Sequence, residues 1–295
     1  MKLGVDPPTA TMKLGVDLAS GTAAGVSQLL VGHPFDTVKV RMQVGRADVT
    51  ALAAARSIAS NGVTAFYRGL AAPLTTVAAF NAILFSSRGA AERMLVSDGA
   101  LSIWQTTLAG GLAGFPVALL ATPTELLKCR LQAADGKVAF SGPLEVSRRV
   151  VLEEGGLLAL YRGLGATLLR EVPGNAAYFG CYEVLKSWLA RWQGVSVPQL
   201  GAASLMLAGG MSGAAFWSLT FPVDVAKSRI QCQHVLDPHS LPYLGTWDCA
   251  SRLYHSQGWR ALWRGFLPCI IRSVPANAAA FLAYENVSAA LSMQS

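Results

Sequence analysis

The sequence predicts an all-α membrane protein in which six transmembrane helices surround a pseudo-threefold axis. One observation behind this prediction is that charged residues make up only 14% of the chain, against about 25% in an average soluble domain. A second is a motif that occurs three times, and a third is a set of six windows with few charged residues or none. We therefore expect three tandem repeats of about 100 residues, each with two long helices and a short helix between them.

The composition also excludes several functional classes. Lysines and arginines give the chain a net charge of +7 but do not cluster with aromatic residues, so we expect no nucleic-acid partner. A membrane with anionic lipids fits this charge better. The five cysteines form no CxxC pair, so we expect no disulfide framework and no metal site. We expect no cofactor, and without a GxSxG elbow or a Walker loop the chain does not resemble an enzyme.

The six windows are long enough to cross a bilayer, for which a helix needs about 20 residues. Four contain no charged residue, whereas Arg170 and Glu171 interrupt the fourth window and Arg272 interrupts the sixth. The windows cover residues 18–35, 69–87, 99–124, 163–182, 192–223 and 265–284. The loops after the first, third and fifth windows are long and basic, so the positive-inside rule places them in the interior compartment and both termini on the opposite side.

The repeated motif has five residues at fixed offsets: a proline, then an acid, a lysine, an arginine and a glutamine. It reads HPFDTVKVRMQ around Pro34, TPTELLKCRLQ around Pro123 and FPVDVAKSRIQ around Pro222. A GxxxG pair, which suits close crossing of helices, precedes each proline, and an aromatic-Arg-Gly triplet follows it. The pairs are Gly21 and Gly25, Gly110 and Gly114, and Gly209 and Gly213, and the triplets end at Gly69, Gly163 and Gly265.

This triplicated motif, followed by aromatic-Arg-Gly, resembles the signature of the mitochondrial carrier family over roughly residues 17–290. The segments REVPGNA and RSVPANAAAFLAYE are similar to the branch of carnitine/acylcarnitine and basic amino-acid carriers, and VAAFNAILF resembles its plant carnitine/acylcarnitine carrier-like members. The resemblance implies a multi-pass carrier of the mitochondrial inner membrane, with both termini towards the intermembrane space. It divides the chain into an N-terminal extension at 1–15 and carrier repeats at 16–98, 99–195 and 196–295.

The acid and the lysine of each motif lie three residues apart and therefore on one face of a helix. If the prolines kink the helices and bring three helix ends into a ring, the acid of one repeat can pair with the lysine of another. The predicted pairs are Asp36 with Lys128, Glu125 with Lys227, and Asp224 with Lys39. The resemblance implies that these pairs form a gate on the matrix side, braced by Gln43, Gln132 and Gln231.

The opposite, cytoplasmic gate is predicted to be degenerate. The family pattern of an acid followed by a base three residues later is complete only at Glu183 and Lys186. Glu285 is followed by Ser288 instead of a base, and the first repeat has Glu92 where a base belongs. We therefore expect the resting protein to favour the state that is closed on the matrix side.

Ionisable residues at mid-membrane are candidates for function, and Arg170, Glu171 and Arg272 stand out. Arg170, Arg272 and Thr76 each lie seven residues after the glycine of a triplet, and the resemblance makes these positions substrate contact points. Arg272 can bind a carboxylate with two hydrogen bonds, and Glu171 can meet a cationic amine or serve only as the partner of Arg170. Phe80 can pack an acyl chain, stack on a quaternary ammonium, or simply pack between helices.

These residues favour a small zwitterionic or cationic substrate. The first hypothesis is antiport of carnitine against acylcarnitine by alternating access. The alternatives are a carrier for ornithine, lysine, arginine or glutamate, and a structural subunit of a membrane complex. Gly69, Gly163 and Gly265 open helices whose free backbone N–H groups favour phosphate, and the resemblance suggests that cardiolipin binds there to a monomer.

Overall fold

The part of the chain that the structure describes contains nine α-helices and four short 3₁₀-helices. The structure, a computed structural model, describes residues 7–45, 49–96, 101–133, 140, 142–236 and 243–292. The helices are α1 (Pro7–Val44), α2 (Ala51–Ala59), α3 (Ala71–Leu95), α4 (Ile103–Ala133), α5 (Pro143–Glu153), α6 (Leu164–Gln193), α7 (Ala202–Leu236), α8 (Thr246–Gln257) and α9 (Phe266–Ser292). Each repeat therefore has the predicted order of a long, a short and a second long helix.

The six long helices each exceed the roughly 20 residues needed to cross the hydrocarbon core. Within the described ranges, four segments are apolar enough to be recognised as spans by hydropathy alone: Val63–Leu95, Ile103–Ala133, Ala202–Gln233 and Trp259–Ser288. Helix α1 is rich in glycine, serine and threonine, and α6 carries several charged side chains, which lowers their hydropathy. Four of these charged side chains, Arg170, Glu171, Glu183 and Lys186, form ion pairs, so this helix also suits a bilayer.

The long helices form a ring in the order α1, α3, α4, α6, α7 and α9. Extensive packing joins helices of adjacent repeats, namely α3 with α4, α6 with α7, and α9 with α1. Within repeat 2, α4 and α6 pack just as closely, whereas α1 touches α3, and α7 touches α9, over much shorter stretches. The threefold pattern of the sequence is thus not matched by equal packing within the three repeats.

Glycines explain the close packing of α4 and α6. A Cβ atom added to Gly114 would lie 2.6 Å from the backbone oxygen of Glu171, and one added to Gly110 would lie 2.7 Å from the ring of Phe179. The GxxxG pair of repeat 2 therefore brings two backbones together, as the sequence predicts. At the corresponding Gly213 of repeat 3 an added Cβ would meet no atom within 4 Å, so the same motif borders open space there.

The different surroundings of Gly114 and Gly213 predict that replacing glycine with alanine lowers the thermal stability at the first position but not at the second. We expect Gly114→Ala to lower the midpoint of thermal unfolding in detergent, because overpacking typically costs about 1–3 kcal/mol. Gly213→Ala should leave the midpoint unchanged or raise it, because alanine stabilises a helix by about 0.5–1 kcal/mol relative to glycine. Equal midpoints for the two variants would contradict this account of the packing.

The short helices lie against the long helices through one apolar face. Helix α5 buries Val146 and Val150 against Leu126 of α4. Arg130 of α4 binds Glu154, just beyond the end of α5, through two guanidinium nitrogens, one of them 2.8 Å from Oε2. Because such a paired hydrogen bond fixes both distance and direction, it holds α5 at the end of α4.

Candidate functional site

Three ion pairs close the helix bundle where α1, α4 and α7 converge. Each pair joins two different helices at an N–O distance of 2.7 Å, so that six side chains form a circle. We call this circle the gate ring; its pairs are Asp36 with Lys128, Glu125 with Lys227, and Asp224 with Lys39. These are the partners that the sequence predicts.

Two arginines reach the gate ring from helices outside it. Arg170 of α6 lies 2.7 Å from Glu125 and 3.2 Å from Asp224. Arg272 of α9 lies 3.3 Å from Asp36. Every acid of the ring therefore has at least two cationic partners, which offsets part of the desolvation of the buried carboxylates. In this closed arrangement both predicted contact arginines are bound to gate acids.

Glu171 is buried and takes part in the same network. Its carboxylate lies 2.5 Å from Arg170 and accepts a hydrogen bond of 2.9 Å from Asn175 Nδ2, one helical turn away. Both contacts lie within α6, so Glu171 holds Arg170 in position here. This placement favours the interpretation of Glu171 as the partner of Arg170.

The three glutamines of the motif have different surroundings. Gln43 donates a hydrogen bond of 2.9 Å to Asp224 and so contacts an ion pair as expected. Gln132 lies instead within 3.2 Å of His33 Nε2 and donates to the hydroxyl of Thr37, both on α1. The side-chain amide of Gln231 is buried and has no hydrogen-bond partner in the described part of the chain. Only Gln43 therefore acts as a brace in this arrangement.

A cavity of about 370 Å³ lies beside the gate ring, between α1, α6, α7 and α9. Arg272 and Trp217 line this cavity and also the smaller space around the gate ring. The Nε atom of Arg272 is buried and has no hydrogen-bond partner among the described residues. Arg272 therefore connects the open cavity to the ion pairs.

Trp217 is a site residue that the sequence analysis missed. Trp217 lines the cavity, and Lys39 Nζ lies 4.2 Å from the centroid of its ring. It precedes Pro222 by five residues, where the other repeats have Leu29 and Ala118. An aromatic residue at one of three equivalent positions is a signal that a comparison of the repeats can detect.

Thr76 and Phe80 do not line this cavity or the space around the gate ring. Both are half-buried on α3, and the Thr76 hydroxyl donates to the carbonyl oxygen of Ala72 in its own helix. The role of Thr76 as the first contact point stays a prediction.

At the predicted cytoplasmic gate, charged residues pair within single helices. Glu183 and Lys186 lie 2.8 Å apart on α6, and Arg88 and Glu92 lie 2.7 Å apart on α3. The Arg88 guanidinium also lies 4.1 Å from the ring centroid of Phe179 on α6, a contact that the sequence analysis did not anticipate. The side chain of Glu285 lies outside the described residues.

The three predicted lipid-binding glycines have a positive φ and each lies against a gate-ring helix of another repeat. Their φ angles are 82° at Gly69, 88° at Gly163 and 82° at Gly265. Cβ atoms added there would lie 3.1 to 3.2 Å from Lys128, Gln231 and Lys39, respectively. Backbone conformation and close packing therefore account for glycine at these positions, and their binding of lipid stays a prediction.

Comparison with known proteins agrees with this architecture. The family described as "Mitochondrial carrier protein" matches residues 10–99, 99–192 and 198–295. The chain is 44% identical to the mitochondrial carnitine/acylcarnitine carrier-like protein of Arabidopsis thaliana, over 93% of this chain and 98% of that protein. It is 38% identical to the mitochondrial basic amino acids transporter of Bos taurus, over 91% and 89% of the two chains. It is 36% identical to mitochondrial ornithine transporter 1 of Rattus norvegicus, over 93% and 94%.

Three consecutive family matches coincide with three copies of the motif, the gate ring and six long helices. The predicted fold class and the prediction that the chain is not an enzyme are thereby confirmed. The chain belongs to the mitochondrial carrier family and is a multi-pass transporter of small solutes in the mitochondrial inner membrane.

Proposed function

We propose that the protein exchanges carnitine for acylcarnitine by alternating access. The lining of the 370 Å³ cavity is the observation that carries this proposal: among the described residues it includes Arg272 and the aromatic rings of Tyr178 and Trp217, but no carboxylate. A quaternary ammonium donates no conventional hydrogen bond and is attracted to aromatic faces. The amine of lysine or ornithine would lose its hydrogen bonds to water without finding an acidic partner in this lining.

The charges around the gate ring favour a substrate that carries a carboxylate. The network holds five cations and four acids, which leaves a formal charge of +1 (5 − 4) on its described residues. The cations are Lys39, Lys128, Lys227, Arg170 and Arg272, and the acids are Asp36, Glu125, Glu171 and Asp224. A substrate carboxylate on Arg272 balances this charge, because buried charges are stable only when they are paired.

Binding at Arg272 also offers a route to gate opening. A substrate carboxylate competes with Asp36 for Arg272, which leaves Asp36 with Lys128 as its remaining close cationic partner. Buried ion pairs contribute little net stability, because desolvation cancels much of their attraction. A modest gain on substrate binding can therefore offset the loss of contacts in the gate ring.

An amino-acid carrier is the alternative. Two of the relatives are named as basic amino acid and ornithine transporters. Asn277 and Gln28 line the cavity and hydrogen-bond each other at 2.8 Å, so neutral oxygens are available to an amine. These oxygens are weaker partners for a cation than a carboxylate, and for this reason we favour carnitine.

Uptake into liposomes tests the proposal. The protein would be reconstituted with labelled carnitine, acylcarnitine, ornithine, lysine, arginine or glutamate outside, and with or without the same compound inside. We expect carnitine and acylcarnitine uptake that requires internal substrate. Preferential uptake of a basic amino acid would favour the alternative, and a folded preparation that transports none of the labels would favour a structural subunit.

We further propose that the carrier works as a monomer in contact with cardiolipin, with both termini towards the intermembrane space. The positive net charge and the helices that begin after Gly69, Gly163 and Gly265 support binding of an anionic lipid. Titration of delipidated protein with cardiolipin, followed by thermal unfolding, tests the binding of cardiolipin. We expect the midpoint to rise with cardiolipin and not with a zwitterionic phospholipid.

A further inference from the structure

The glycines of α4 and α7 occupy equivalent positions in their repeats but have different surroundings. Gly110, Gly111 and Gly114 of α4 face α6 so closely that added Cβ atoms would lie 2.6 to 3.4 Å from it. On α7, Cβ atoms added to Gly210 and Gly213 would meet no atom within 4 Å outside the helix's own backbone, and one added to Gly209 would meet only the Tyr178 hydroxyl at 3.9 Å. The small residues of repeat 3 therefore border a gap instead of a packed interface.

This gap is continuous with the cavity that contains Arg272. The cavity wall follows one face of α7 from Trp217 past Gly213 and Gly210 to Met206. On α9 it continues from Arg272 to Phe281. One part of this cavity lies between Met206 and Gly213 of α7 on one side and Phe281 of α9 on the other. We call this part the α7–α9 cleft.

The whole cavity has a polar end and an apolar end, and the cleft forms the apolar end. Arg272 and Ser273 line the end near the gate ring, whereas Met206 and Phe281, both exposed, line the far end. An amphipathic molecule with a carboxylate and a hydrocarbon tail matches this order of side chains. The first repeat has no equivalent gap at Gly25, where an added Cβ would lie 3.0 Å from Val77.

We propose that the α7–α9 cleft binds the hydrocarbon chain of acylcarnitine while Arg272 holds its carboxylate. The inference rests on the proposed function, because it takes acylcarnitine as the substrate. Because Gly209, Gly210 and Gly213 have no side chains, the hydrocarbon chain lies directly on the backbone of α7. Each methylene removed from water by an apolar site strengthens binding by up to about fourfold, so a long chain gains most from the cleft.

A lipid chain from the bilayer is the competing occupant. The continuity of the cleft with Arg272 favours the substrate, because one ligand then fills both ends of a single cavity. A phospholipid tail alone offers no carboxylate to Arg272, which lines the polar end of the cavity.

Filling the cleft tests the proposal. Gly210→Leu adds a side chain where the structure has room, and Gly21→Leu is a matched control on α1, where an added Cβ also meets no atom within 4 Å. Exchange of carnitine, acetylcarnitine and palmitoylcarnitine would be measured in liposomes. We expect Gly210→Leu to raise the KM for palmitoylcarnitine at least about tenfold and to change the other two KM values less than about twofold. Gly21→Leu should change all three less than twofold.

Wild-type exchange of carnitine separates the two proposals, because carnitine has no acyl chain. If the wild-type protein exchanges carnitine and Gly210→Leu leaves palmitoylcarnitine unaffected, the cleft proposal is wrong and the proposed function stands. If the wild-type protein does not exchange carnitine, the proposed function fails and the cleft proposal with it.

A photoreactive probe covers the case in which Gly210→Leu does not fold. Acylcarnitine with a diazirine at the end of its chain would be crosslinked to the wild-type protein in liposomes. We expect labelling of the segments around Met206 and Phe281 that excess palmitoylcarnitine prevents. Labelling that excess palmitoylcarnitine leaves unchanged, or labelling confined to other helices, would overturn the proposal and indicate a lipid-filled cleft.

Discussion

Replacing Arg272 with alanine is expected to reduce exchange at least about thirtyfold, mainly through a higher KM. Truncating one partner of a desolvated charge pair costs about 2–5 kcal/mol, and each 1.4 kcal/mol corresponds to a factor of ten. Arg272 lines the cavity and is bound to Asp36 at 3.3 Å, so its loss removes the carboxylate site and leaves Asp36 with fewer partners. Initial rates of carnitine exchange over a range of concentrations measure the effect.

Two control variants sharpen this prediction. Arg272→Lys keeps the charge but loses the planar pair of donors, so we expect an intermediate loss. Arg191→Ala removes an exposed arginine near the end of α6 and should leave the kinetics unchanged. A KM for Arg272→Ala within twofold of the wild-type value would show that the carboxylate binds elsewhere.

Asp224→Asn is expected to be among the most destabilising single changes in the gate ring. Asp224 is only 2% exposed and lies 2.7 Å from Lys39, 3.7 Å from Lys227 and 3.2 Å from Arg170. Neutralising it leaves three cations without this carboxylate, and breaking a buried pair typically costs about 3–5 kcal/mol. The midpoint of thermal unfolding in detergent should therefore fall by several degrees.

Glu145→Gln provides the comparison for Asp224→Asn. Glu145 pairs with Arg149 at 2.7 Å on α5, but both side chains are substantially exposed. Surface pairs of this kind contribute about 0–1 kcal/mol, so the midpoint should change little. Similar shifts for the two variants would mean that the gate ring does not contribute to stability as a buried network.

Sequence reasoning predicted the elements of this protein that recur in each repeat. Six long helices and the ion-pair partners of Asp36, Glu125 and Asp224 follow from a motif that occurs three times. Its repetition shows which positions of the three repeats are equivalent and therefore which acid can meet which lysine. The family match confirms the resulting fold class. Both the helices and the ion pairs depend on spacing along the chain, which a sequence displays directly.

What the sequence did not predict is where the repeats differ in three dimensions. The GxxxG pairs look equivalent, yet Gly114 lies against α6 and Gly213 borders a gap, since the partner helices diverge by different amounts. Gln132 contacts His33 instead of an ion pair, because His33 occurs only in the first motif. Such contacts depend on side chains from other repeats, which spacing within one motif does not reveal.

Two native cysteines permit the most direct test of alternating access. Cys129 of α4 and Cys232 of α7 are both buried in one apolar cluster next to the gate ring. A disulfide between them would hold α4 and α7 together, whereas alternating access requires these helix ends to separate. Carnitine exchange would be measured in liposomes after oxidation with copper phenanthroline, with Cys232→Ala as the control. The account predicts that oxidation stops exchange in the wild-type protein, that a reducing agent restores it, and that the variant is insensitive. Full exchange by protein shown to carry the crosslink would contradict it.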